Sequence, residues 1–214
     1  MSDSRTDIVV GVDLGGTKIF AAGFDAAGDV RTPSFREATE ASRDASVTIA
    51  NLDRCVESAV RSASGRIVGI GVGTTGPLNP WSGVLLEPET LPQLFGFPLA
   101  KHLSERFELP VAVSNDANCF ALGEALFGAG RGASVVLGIT LGTGCGVGIV
   151  IDGKIHEGAS GNAGEVYRAR LGEFSFDEIL SGGGLEILAS RAYGESVNGP
   201  ELHRRASRAD ATAA

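Results

Sequence analysis

The chain has 214 residues, of which 43% are hydrophobic, 21% charged and 6% aromatic. That apolar fraction excludes a disordered chain, and the length holds one large domain or two small ones. Eighteen basic against 26 acidic residues give a net charge of −8, which offers nucleic acid no general attraction, and no basic module is present to supply one.

A β-branched run over 8–12, the turn Asp13-Leu14-Gly15-Gly16-Thr17 and a second run over 19–24 read as two strands joined by a glycine turn. Residues 30–35 are expected to form a third strand. Between 41 and 63, Val47, Ile49, Leu52, Val56, Ala59 and Val60 recur mostly at spacings of three and four. That pattern marks an amphipathic helix, with Gly65 placed to stop it. A strand over 67–72 carries alternating glycines, which ask for close backbone approach. A loop rich in Pro and Gly follows over 73–98. Then come a helix over 99–107, a strand over 111–113, and a helix over 117–127 ended by Gly128. The order is α/β, with antiparallel pairing at the start.

The pattern then begins again. Val136-Leu137-Gly138-Ile139-Thr140-Leu141-Gly142-Thr143-Gly144 overlays Val9-Val10-Gly11-Val12-Asp13-Leu14-Gly15-Gly16-Thr17 at an offset of 127 residues. A repeat of this length predicts two related α/β domains, over 1–132 and 133–214. The strand at 111–113 would recur only near position 238, so the second domain is expected to be incomplete within these 214 residues.

Paired glycine turns suit a polyphosphate. Without a Cβ, main-chain N–H groups can approach phosphate oxygens closely, and threonine adds a hydroxyl donor. Asp13, at a strand end, can hold a hydrated Mg²⁺ that neutralises the phosphate charge. Ordinary hairpin turns also favour glycine, but two in matching register favour phosphate binding. Asp116 follows a strand and opens a helix, where its carboxylate can face a cleft as a base or serve as a helix cap.

Four motifs occur in order: Asp13-Leu14-Gly15-Gly16-Thr17-Lys18, Asn115-Asp116-Ala117-Asn118, Leu141-Gly142-Thr143-Gly144 and Gly161-Asn162-Ala163-Gly164-Glu165. Together they resemble the ROK family of sugar kinases and related repressors, within the hexokinase–actin superfamily. The resemblance implies duplicated actin-like, ribonuclease-H-like α/β domains with ATP and Mg²⁺ in an interdomain cleft, and phosphoryl transfer to the hydroxyl of a hexose such as glucose or fructose. It makes Asp116 the catalytic base and Asn115, Glu165, Asp177, Thr75, Gly76 and Arg168 the sugar-side residues. Gly15, Gly16, Thr17, Lys18, Gly142, Thr143 and Gly144 would face the nucleotide, with Asp13 at Mg²⁺ through water.

Several departures accompany the match. Arg168 stands where many members have a histidine, and residues 166–185 hold no Cys or His, so no zinc site is expected. A sugar-loop asparagine falls near Thr90, and the glycine-rich segment beside the adenosine has no counterpart. Homodimerisation is common in the family and stays open here. Two other readings remain, a sugar-sensing regulator and a non-catalytic remnant. The first phosphate turn begins at Asp13, which leaves no room for the helix-turn-helix module of the repressors. Three scattered cysteines, Cys55, Cys119 and Cys145, suit a reduced protein. Residues 1–7 lack the apolar centre of a signal peptide, and no apolar run is long enough to span a bilayer. A cytoplasmic protein with no membrane partner is expected.

Overall fold

The structure is a computed structural model and describes residues 6–88, 90–142, 144–167 and 169–208. Strand β1 (Asp7–Leu14) turns back through the first glycine turn into β2 (Lys18–Phe24), antiparallel, with Val9 opposite Phe24 and Leu14 opposite Ile19. β3 (Phe35–Ala38) pairs antiparallel to β2. Helix α1 (Ala45–Ser62) follows, then β4 (Arg66–Thr74), parallel to β1 on its other edge. A five-stranded sheet is completed by β7 (Val111–Asn115), parallel to β4, giving the order β3-β2-β1-β4-β7. β2 alone runs against the other four strands, so the antiparallel pairing falls at the start of the chain, as the sequence order suggests.

The third strand lies later than the sequence suggests. The Gly23 N–H is taken by the Thr32 hydroxyl at 2.7 Å, and Pro33 has no N–H to give, so the ladder resumes only at Phe35. Val30 makes only an isolated bridge to Phe24. Helix α1 also starts later than 41, because Glu40 sits at φ 52° and Asp44 caps the helix by accepting the Ser46 N–H at 2.8 Å. Gly65 is not the helix stop; the chain is already extended at Ala63. A Cβ on Gly65 would lie 2.2 Å from the Thr6 carbonyl, so the glycine is required by close backbone approach beside β1.

The segment 73–98 is more ordered than a loop. It holds a short hairpin of β5 (Leu78–Asn79) and β6 (Val84–Leu85), then a 3₁₀ turn at Pro92–Leu94. Leu85, Leu91 and Leu94 from this stretch enter the main core. Helix α2 (Leu99–Phe107) matches its expected range. The core joins Val10, Val12 and Leu14 of β1 to Leu52, Val56 and Ala59 of α1, and to Leu99 and Leu103 of α2. Each of the valines and leucines contributes about 1.5–3 kcal/mol when fully buried.

Helix α3 (Asp116–Leu126) leads into β8 (Val135–Leu141), β9 (Cys145–Ile151) and β10 (Lys154–Ile155), an antiparallel sheet in the order β10-β9-β8. β8 and β9 repeat the first hairpin, but Leu141 pairs with Cys145, so the second glycine turn is one residue shorter than the first. A small ribbon of β11 (Arg170–Leu171) and β12 (Phe174–Ser175) precedes α4 (Phe176–Leu180), α5 (Gly182–Tyr193) and α6 (Gly199–Ser207). Ser175 and Glu178 close a reciprocal capping box on α4.

Two compact units result, Met1–Cys119 with Glu157–Asn162, and Phe120–His156 with Ala163–Ala214. The division falls inside α3, earlier than residue 132, because α3 serves two sheets. A Cβ on Gly73 of β4 would meet Cys119 Sγ at 3.3 Å, whereas one on Gly138 of β8 would meet Ala121 Cβ at 2.6 Å.

Candidate active site

In the first unit, three parallel strands end side by side. Asp13 of β1 pairs with Gly73 of β4, which pairs with Ser114 of β7; Leu14, Thr74 and Asn115 form the next row. The carboxyl ends of parallel strands are where open α/β sheets bind ligands. Thr75 and Gly76 continue directly from β4, and Asp116 follows β7 as the first residue of α3. Five expected residues, Asp13, Thr75, Gly76, Asn115 and Asp116, therefore gather at the carboxyl end of one sheet.

The first glycine turn is pinned from behind. Gly15 N–H donates to the Lys18 carbonyl at 3.1 Å, and the Thr39 hydroxyl donates to the Gly15 carbonyl at 2.6 Å. The Thr39 N–H reaches the Thr17 carbonyl at 3.1 Å, and the buried Thr74 hydroxyl donates to the Leu14 carbonyl at 2.9 Å. Gly16 has a second reason to be glycine, since a Cβ there would approach Thr90 Cβ to 2.8 Å. Thr17 and Lys18 are exposed, and the Lys18 ammonium stands 5.1 Å from the Phe20 ring centroid.

Asn115 and Asp116 start α3 together. The Ala117 N–H donates to Asn115 Oδ1 at 2.9 Å and to Asp116 Oδ1 at 2.8 Å. Partial removal from water holds the Asp116 carboxyl above the usual aspartate range; the Ala117 N–H opposes this and the Asp13 charge reinforces it. Asp13 is raised for the same main reason, with Lys18 working against it. Cys119, one turn into α3, is pushed up to about 11 by burial and by the charges of Asp116, Glu157 and Asp13. The Ser114 hydroxyl lies 3.5 Å from Glu157 Oε1, so Glu157 belongs to this acidic neighbourhood. Nothing local in the sequence marks Glu157, because Ser114 is 43 residues away.

The second unit carries the other glycine turn. The Gly142 N–H donates to the Gly144 carbonyl at 3.0 Å, and the Gly142 carbonyl accepts the Gly182 N–H at 2.7 Å. Asp177 Oδ1 accepts the Cys145 N–H at 2.7 Å, and a Cβ on Gly144 would lie 3.2 Å from the same oxygen. Asp177, expected on the sugar side, is thus engaged at the second glycine turn. Glu165 follows Gly164, whose φ of 91° and 2.2 Å approach of a Cβ to the Val147 carbonyl admit only glycine. Thr143 and Arg168 lie outside the described residues.

The family model described as "ROK family" matches residues 9–214. The chain belongs to the ROK family. A glucokinase of Halalkalibacterium halodurans is 40% identical over 161 residues, covering 73% of this chain and 48% of that protein. An N-acetyl-D-glucosamine kinase of Mannheimia succiniciproducens is 32% identical over 96% of this chain and 73% of its own length. Among solved structures, the ROK hexokinase of Thermus thermophilus matches with TM-score 0.86 and 33% identity, over 96% of this chain and 71% of that one. The ROK glucokinase of Streptomyces griseus, solved with glucose and AMPPNP, matches with TM-score 0.76 and 28% identity, over 96% and 73%. The chain thus has the α/β mixed-sheet fold of ROK hexokinases. It spans about half of the first glucokinase and just over 70% of the solved chains.

No helix among the described residues is long and apolar enough to cross a membrane. Nor do three or more His, Cys, Asp or Glu among them cluster closely enough to hold a metal ion by themselves.

Proposed function

We propose that this ROK chain carries the residues for ATP-dependent phosphorylation of a sugar hydroxyl, with Asp116 as the general base. The observation that supports this most is the adjacency of Asp13, Thr75, Asn115 and Asp116 at the ends of three parallel strands, with Asp116 biased toward holding a proton. A carboxylate of raised basicity is suited to accept the hydroxyl proton as the sugar oxygen bonds to the γ-phosphorus. The bond from the γ-phosphorus to the bridging oxygen breaks, and ADP leaves with that electron pair. Asn115, with its Oδ1 at the helix start, and Glu165 and Arg168 are assigned to the sugar. Gly15, Gly16, Thr17, Lys18, Gly142, Thr143 and Gly144 are assigned to phosphates.

Mg²⁺ fits this donor set. It keeps several waters and takes one or two carboxylates together with substrate phosphates, so a single strand-end carboxylate is a sufficient protein ligand. Asp13 would hold it, and neighbouring Asp116 adds negative charge that favours a cation. The ion would supply charge neutralisation on the phosphates. Asp177 is assigned to stiffening the second glycine turn rather than to sugar hydroxyls, since its Oδ1 already accepts a main-chain N–H. The relatives' names support glucose and N-acetylglucosamine as the first sugars to try. ATP as donor and three free cysteines fit a cytoplasmic site of action.

The test is ADP formation by the purified chain with ATP, Mg²⁺ and a panel of glucose, fructose and N-acetylglucosamine. Turnover that falls by about 10²–10⁴ in Asp116→Asn, with sugar binding retained, is expected for a general base. Turnover unchanged in that variant would refute the assignment. Sugar binding without turnover in the unmodified chain would favour a sensing role.

A further inference from the structure

The first glycine turn is held from a distance as well as from behind. Thr39 and Thr48 are both 0% exposed. Thr39 gives both of its donors to the turn, its hydroxyl to the Gly15 carbonyl at 2.6 Å and its N–H to the Thr17 carbonyl at 3.1 Å. Its own carbonyl accepts the Thr48 hydroxyl of α1 at 2.9 Å, and Thr48 Oγ1 accepts Gln93 Nε2 at 3.0 Å. Gln93 lies in the 3₁₀ turn Pro92–Leu94, on the segment that leaves β4 through Thr75 and Gly76. A chain of hydrogen bonds, Gln93–Thr48–Thr39–Gly15, thus runs from that segment through α1 to the turn. All four residues belong to the first unit.

The direction of each bond follows from the protons available. Thr48 has one hydroxyl proton and gives it to Thr39, so only a lone pair faces Gln93. The Gln93 amide must therefore present its nitrogen, and its buried Oε1 has no partner among the described residues. A methionine would fill this space without an unmatched oxygen, so packing alone does not account for the glutamine. The other end of the chain of bonds is equally definite. In a trans peptide C=O and N–H point opposite ways, so drawing the Gly15 carbonyl onto Thr39 aims the Gly16 N–H away from Thr39. Such an N–H, at a glycine turn, is the kind of donor a phosphate oxygen takes.

We propose, on the assignment of residues 15–18 to nucleotide phosphates, that Thr39 is the positioning residue of that turn. Gln93, acting through Thr48, holds Thr39 in place. Gln93 therefore serves the nucleotide and not the sugar, although it lies on the segment that carries Thr75 and Gly76.

The test uses the full chain and two readouts. One is the amide resonances and hydrogen exchange of residues 15–18 in the ligand-free protein; the other is the calorimetric Kd for AMPPNP with Mg²⁺. Thr39→Val should shift the Gly16 amide resonance, speed exchange across the turn and weaken AMPPNP binding by about tenfold. Thr39→Ser, which keeps the hydroxyl, should restore all three. Gln93→Met should weaken AMPPNP by about three- to fivefold and leave the Kd for glucose or N-acetylglucosamine within about twofold. Retained protection of β4 and α2 amides certifies the fold of each variant. Turn amides and AMPPNP affinity unaltered in Thr39→Val would overturn the proposal. A Gln93→Met chain that loses sugar affinity and keeps AMPPNP affinity would overturn it too. AMPPNP binding that is absent from the unmodified chain, or indifferent to turn amides that do move, would instead refute the phosphate assignment, and the proposal with it.

Discussion

Asp116 is held above its ordinary pKa, mainly by loss of water and further by Asp13, with a definite consequence for pH. In the window between the ordinary and the raised value, the folded chain binds more protons than the unfolded one. Stability therefore falls as pH rises through that window, and the loss persists at neutral pH. Asp116→Asn removes this contribution, so its melting temperature should exceed that of the unmodified chain at pH 7. The advantage should disappear below the ordinary aspartate range, which calorimetry across pH would measure. With Asp116 as the proposed base, the acid limb of kcat/KM should likewise sit above that range, because only a deprotonated carboxylate can accept a proton. Cys119 provides an independent probe of the same charges. Its thiol, at about 11, should alkylate slowly near pH 8, and faster in Asp116→Asn because one repelling charge is gone. The motif residues Asp13, Asn115 and Asp116 were legible from their strand-end positions and family pattern. Glu157 and Thr39 were not, since each meets the site through residues 24 or more positions away.

Glycine turns and helix ends carry most of the local information in this chain. Asp44 holds the start of α1 through the Ser46 N–H, and Asp44→Ala should cost about 1 kcal/mol in urea unfolding. Gly164 is the more demanding position. Its positive φ and its contact with the Val147 carbonyl predict that Gly164→Ala costs about 2–4 kcal/mol, through backbone strain and displacement of β9. Glu165 would move with it, so under its proposed assignment to the sugar KM should rise more than kcat falls. Helix α2 and the first hairpin followed from periodicity and turn residues alone, whereas β3 did not. Its onset is set by Pro33 and by the Thr32 hydroxyl intercepting the Gly23 N–H.

The two units differ in how completely their cores close. The first buries β1 between neighbouring strands and beneath α1, while the second leaves one face of β8 exposed. Unfolding should therefore proceed in two steps, with β8 and β9 amides exchanging before those of β1, β4 and β7, as site-resolved hydrogen exchange would detect. A single cooperative transition protecting both sheets equally would contradict this. Sequence determined the family, the α/β order, the repeated hairpin and the residues nominated for chemistry, because these depend on local spacing and turn stereochemistry. Tertiary structure decided why Gly16 and Gly65 must be glycine, why Asp177 reaches the second glycine turn, and which face of β8 stays open. Each of those rests on atoms brought within a few ångströms from segments far apart in the chain, a proximity that short-range spacing does not encode.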